Sequence, residues 1–196
     1  MKALVFAMLC VLGVGLAAQA PATAPATVLK VGDPAPNFSL KASDGKTYRL
    51  ADFKGKQAVV VAWFPAAFTS GCTIECKSLA EKGDLIKKYD VTYFMASTDA
   101  LEARPDNAKS GNIAFAQEYK ADFPILSDPT KEAAAAYGVL GPAGTAARAT
   151  RWTFYIDKNG IITYIDKEVN AHLATSAEFM AAKLGELKVA EKQHQH

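Results

Sequence analysis

The sequence is poor in cysteine and histidine, with three of each in 196 residues. Such a set offers little for a metal centre: His172, His194 and His196 have no ligand-like spacing with the cysteines and read as surface residues. Charge of one sign is not in excess either. Lys and Arg number 22 against 20 Asp and Glu, a net charge of +2. That balance argues against nucleic-acid binding, which shows a basic face or stripe. No apolar run reaches the ~20 residues of a membrane-spanning helix, and no internal repeat is visible. What remains is 50% hydrophobic and 21% charged, an ordinary globular composition. The chain is long enough for one core and short for two domains.

The apolar run that does exist lies at the front. Lys2 gives a short positive region, residues 3–17 are apolar, and Ala18-Gln19-Ala20 fits the small-x-small cleavage rule. Residues 1–20 are therefore expected to be a secretory signal peptide. The mature protein would be exported, periplasmic or secreted, with no stable membrane association. Residues 21–30, rich in Ala, Pro and Thr, are expected to form a flexible linker. The folded domain would span residues 31–188, and residues 189–196 would be a loose polar tail. Cleavage leaves Cys72 and Cys76 in an oxidising compartment. A pair so close cannot staple distant parts of a fold. Its use is local: redox chemistry, metal binding or packing.

Residues 58–63, nearly continuous in Ala and Val, predict a central strand buried on both faces. A helical pattern over residues 73–89 follows a Pro, Thr, Ser and Gly turn, which places Cys72 at a helix start. Unsatisfied N–H groups and a partial positive charge there favour a thiolate, the nucleophilic form of cysteine. Short strands flank Ser43-Asp44-Gly45-Lys46 as a hairpin, residues 91–96 predict a second buried strand, and 152–156 with 161–165 a late hairpin. Short helices are expected over 112–119 and 131–137, a loop over 138–150, and a closing helix over 176–187. Strands alternating with helices make this an α/β domain with a central mixed sheet and an antiparallel edge.

Three stretches resemble the peroxiredoxins of the AhpC/TSA family. Pro65-x3-Thr69-x2-Cys72 fits the family's Pro-x3-Thr-x2-Cys pattern, and residues 31–38 look like its opening. Arg151-Trp152-Thr153-Phe154-Tyr155-Ile156-Asp157 resembles its late strand, whose Arg reaches the active site. The resemblance implies a thioredoxin-like fold with an N-terminal hairpin extension and a thiol-dependent peroxidase that uses no cofactor or metal. Cys72 would attack hydrogen peroxide or an organic hydroperoxide and become a sulfenic acid. Arg151 would be a permanent cation beside the sulfur, and Arg148, in a loop, is its weaker rival. Thr69 would hold the peroxide in line, Pro65 would shield the thiolate, and Glu75 would orient Arg side chains. Trp63 and Phe64 are expected in the core and pocket wall, and Trp152 at the pocket or a subunit contact.

Bacterioferritin-comigratory, peroxiredoxin Q-like members often carry a resolving cysteine five residues after the peroxidatic one. Here Cys76 follows Cys72 by four. On an intact helix such positions have Cβ atoms about 5–6 Å apart, whereas a disulfide needs about 3.5–4.5 Å. Unwinding of the first turn would let Cys76 resolve the sulfenic acid, and a thioredoxin-like protein would reduce the disulfide. Otherwise Cys76 is a packing residue on a stripe with Leu79 and Ile86, and an external thiol acts directly. The protein would be a monomer or a homodimer.

Two other readings remain open. The Cys-x3-Cys spacing suits a Sco-type copper carrier. However, no proline follows either cysteine, no histidine precedes Thr153-Phe154, and Arg151 puts a cation there. A thioredoxin-type thiol–disulfide oxidoreductase would want Cys-x2-Cys and a proline before the late strand, and Thr150-Arg151-Trp152 has none.

Overall fold

A computed structural model describes residues 28–140 and 148–192. The expected signal segment, Cys10 and most of the linker lie outside the described residues, as do the middle of the 138–150 loop and the last residues of the tail.

Among the described residues, seven strands form one mixed sheet in the order β2-β1-β5-β4-β3-β6-β7. At its centre β3 (Ala58–Trp63) is buried at every residue. It pairs in parallel with β4 (Val91–Ser97) and antiparallel with β6 (Thr153–Ile156). Because side chains alternate across a strand, one sequence feeds two cores. Val60, Ala62 and then Phe64 join Cys72, Cys76, Leu79, Ile86 and Phe115 on one face. Val59, Val61 and Trp63 join Phe38, Phe94, Tyr137 and Phe154 on the other. Each buried Val or Leu contributes about 1.5–3 kcal/mol, so β3 anchors both layers.

The hairpin β1 (Ser39–Ala42) and β2 (Thr47–Arg49) joins the sheet through β5 (Ile125–Ser127). The late hairpin closes the other edge through β7 (Ile162–Asp166). Helices α1 (Ser70–Lys82), α2 (Asp84–Lys87), α3 (Asn112–Glu118) and α5 (Ser176–Glu186) cover the cysteine face, and α4 (Glu132–Ala136) the opposite face. This is the thioredoxin-like α/β architecture expected from the sequence. No described helix is long and apolar enough to cross a membrane.

Several local expectations differ from the structure. The helix expected over 73–89 is broken at Gly83. A Cβ there would come within 2.5 Å of the Tyr93 hydroxyl, so β4 approaches where only glycine fits. Order starts before Val31: the Lys30 N–H donates to Asp33 Oδ2 at 3.0 Å, and Leu29 packs on the core. The described part of the expected loose tail is paired instead. Asp90 N–H donates to the Ala190 carbonyl at 2.7 Å, and Lys192 N–H to that of Lys88 at 2.8 Å. Free backbone groups after α2 supply the partners. Two 3-10 turns, Val169–Ala171 and Leu173–Thr175, occupy the stretch between β7 and α5.

Candidate active site

The site forms where β3 hands over to α1. The Phe64 N–H still bonds the Ala96 carbonyl at 2.9 Å, after which the chain leaves the sheet. The Ala67 N–H is captured by Asp99 Oδ2 at 2.7 Å, and the Ser97 hydroxyl braces that carboxylate at 3.2 Å. Phe68 then takes a left-handed conformation, φ 62°, rare for a bulky side chain. Its ring is held against Phe115 and Tyr119, centroids 5.3 and 6.2 Å away.

Thr69 is the N-cap of α1 and its carbonyl accepts from Thr73 N–H at 2.9 Å. A threonine here ordinarily turns its hydroxyl onto a free N–H of the first turn. This one does not cap. Its Oγ1 lies 2.9 Å from Cys72 Sγ and 3.0 Å from the Ala66 carbonyl. With one proton to give, the hydroxyl serves either acceptor and keeps its lone pairs for a third group.

Arg151 reaches the same sulfur from the start of the late strand. Its Nη2 donates to Cys72 Sγ at 3.0 Å, its Nη1 donates to Glu75 Oε2, and its Nε donates to Asn170 Oδ1 at 3.0 Å. Cys72, Glu75 and Arg151 are respectively 0%, 1% and 7% exposed. A fixed cation and a hydroxyl thus converge on a thiol shut away from bulk water, where such interactions are least screened. Burial pushes the Glu75 carboxyl up to about 7 against the pull of Arg151, and Asp166 adds to the rise. Burial also works against the Arg151 charge, but Glu75 and Cys72 outweigh it and hold that group above its ordinary range. Gly71 makes the approach possible, since a Cβ there would stand 3.2 Å from Arg151 Nη2.

Cys76 lies one turn further along the unbroken helix and is fully buried. Burial first, then the negative neighbours Glu75 and Cys72, pushes its thiol up to about 12. Both cysteines are free.

The structure therefore brings Thr69, Cys72, Glu75 and Arg151 together, with half-buried Pro65 in the same loop. Arg148 is exposed and outside the cluster. Trp63 faces the opposite core, while Phe64 is on the site's side. Trp152 is half-buried under the Lys167 ammonium, 4.3 Å from its ring. The copper reading meets Arg151 in direct contact with the sulfur, a cation where a metal cation would have to sit. His172 departs from its expected surface role. Its Nε2 is 2.8 Å from Asp166 Oδ2, and its ring stacks on Phe179 at 3.8 Å. Asn170, Gly71 and Asp99 escape sequence reasoning. Only Gly71 carried a signal, a residue without a side chain inside the motif.

Residues 31–165 match the AhpC/TSA family. Peroxiredoxin Bcp of Escherichia coli (strain K12) is 34% identical over 141 residues, covering 70% of this chain and 85% of that protein. Chloroplastic peroxiredoxin Q of Triticum aestivum is 36% identical over 135 residues, 68% of this chain and 57% of that one. The crystal structure of peroxidoxin BcpB from Mycobacterium tuberculosis superposes with a TM-score of 0.69 at 26% identity, covering 82% of this chain and 99% of that one. With this match and a thiol held between Thr69 and Arg151, the chain belongs to the AhpC/TSA family, of the peroxiredoxin Q/Bcp kind, and is a thiol-dependent peroxidase.

Proposed function

We propose that Cys72 is the peroxidatic cysteine of an exported enzyme that reduces hydrogen peroxide and organic hydroperoxides, with Cys76 as its resolving partner. The observation that carries this is the pair of contacts on Cys72 Sγ, Thr69 Oγ1 at 2.9 Å and Arg151 Nη2 at 3.0 Å. The thiolate attacks the terminal peroxide oxygen, the O–O bond breaks, and Cys72 becomes a sulfenic acid. The leaving oxygen takes a solvent proton and departs as water or an alcohol. Arg151 stabilises the charge that passes from sulfur to that oxygen. The Thr69 hydroxyl, free of the helix cap, orients the peroxide.

Resolution requires the first turn of α1 to open, because neither sulfur is exposed and the helix keeps i and i+4 too far apart. Opening brings Cys76 into water, where burial no longer opposes its ionisation. Its sulfur then attacks Cys72, water leaves, and a disulfide forms. A thioredoxin-like dithiol returns both to thiols and is itself oxidised. Export is supported by Lys2, the apolar run and Ala18-Gln19-Ala20. The working unit is a monomer or a homodimer.

The test is a thiol count on mature protein after one equivalent of hydrogen peroxide without reductant. Loss of both thiols in a product that stays monomeric on a denaturing, non-reducing gel is expected. Loss of Cys72 alone would make it a one-cysteine peroxidase, and no reaction within minutes would overturn the proposal.

A further inference from the structure

Among the described residues the guanidinium of Arg151 has three acceptors, and two of them, Cys72 and Glu75, belong to the opening turns of the same helix. Of these three, only Asn170, whose Oδ1 accepts from the Nε–H at 3.0 Å, is on another element. We propose that Asn170 is a positioning residue for peroxide reduction, the anchor that keeps Arg151 aimed at the Cys72 position independently of α1. The inference rests on Cys72 and Arg151 acting as proposed above.

The geometry gives Asn170 something the other two cannot supply. A planar guanidinium held by one carboxylate can pivot about that contact, whereas a second acceptor at Nε fixes its plane. When α1 opens to let Cys76 in, the sulfur and Glu75 move away from Arg151 together. The amide of Asn170 stays, so the cation is in place when the turn re-forms.

The turn that carries Asn170 is secured on both sides. Asp166, at the end of β7, accepts from Glu168 N–H at 2.9 Å through Oδ1 and meets His172 Nε2 at 2.8 Å through Oδ2. His172 in turn lies flat on Phe179 of α5. Val169 is buried beside it, while Asn170 itself is exposed. Truncating an exposed side chain leaves no cavity, so its loss separates aim from folding.

The experiment compares single-turnover oxidation of Cys72 by hydrogen peroxide in wild type, Asn170→Ala, Asn170→Asp and Arg151→Ala, together with the pH profile of Cys72 alkylation. Asn170→Ala should slow oxidation about tenfold and slow alkylation in step, with an unchanged melting temperature. Asn170→Asp keeps an acceptor at the same reach and should recover most of the rate. A wild-type rate and alkylation profile in Asn170→Ala, while Arg151→Ala loses reactivity, overturns the inference and leaves the proposed chemistry standing. If Arg151→Ala also reacts like wild type, both fall.

Discussion

Cys72 and Cys76 lie one helical turn apart, equally closed to solvent, yet the fold treats them as opposites. Around Cys72 it places a hydroxyl and a guanidinium, each within 3.0 Å of the sulfur. Cys76 sits on the stripe with Leu79 and Ile86, its thiol pushed up to about 12. Burial is the same; the partners differ. A cysteine becomes a nucleophile when its negative charge is met by fixed donors, and stays a thiol when burial and negative neighbours oppose that charge. The second cysteine is thus buried with its thiol form favoured.

The largest test of this contrast is loss of the first sulfur. Cys72→Ser should reduce peroxide consumption by roughly 10⁴-fold or more, as for other catalytic nucleophiles, measured by residual peroxide. Next is Arg151→Lys, which keeps the charge but cannot meet sulfur, Glu75 and Asn170 from one plane. A fall of about 100-fold in the second-order rate of Cys72 oxidation is expected, or about 2.7 kcal/mol, read by stopped-flow fluorescence.

Cys76→Ser sharpens the difference from the other side. The first oxidation should keep its rate within about twofold, because the donors on the reacting sulfur are Thr69 and Arg151, while turnover with a dithiol protein drops about tenfold. Unchanged steady-state turnover would make Cys76 a packing residue.

The smallest effect concerns Glu75, whose carboxyl rises from an ordinary 4.5 to about 7 in the fold. Between those values the folded protein binds a proton that the unfolded chain has released. Stability should therefore fall as pH rises from about 4.5 to about 7 and level off above. Urea midpoints across that range should show the slope, and Glu75→Gln should remove it.

Much of this was legible in the sequence because the determining patterns are local. The Ala and Val run of β3 leaves no polar face, and Thr69 and Cys72 are close enough in sequence for one turn to join them. The placement of Cys72 at a helix start followed from the residues before it. Arg151 was reachable only through its motif, since nothing local joins it to a sulfur 79 residues away. Asn170 and Asp99 were invisible: each is a common polar residue in an irregular stretch, and each matters through one long-range hydrogen bond. The need for glycine at position 83 was hidden for a similar reason, because it is Tyr93 on a neighbouring strand that leaves no room for a side chain. The tail ordered beyond expectation because unpaired carbonyl and N–H groups at Lys88 and Asp90 were there to bind it.

Phe68 is wound against its own backbone preference. Its left-handed backbone costs on the order of 1–3 kcal/mol, and its ring contacts with Phe115 and Tyr119 hold that coil wound. The loop that brings Thr69 to the Cys72 sulfur is thus held at a conformational cost that aromatic packing offsets.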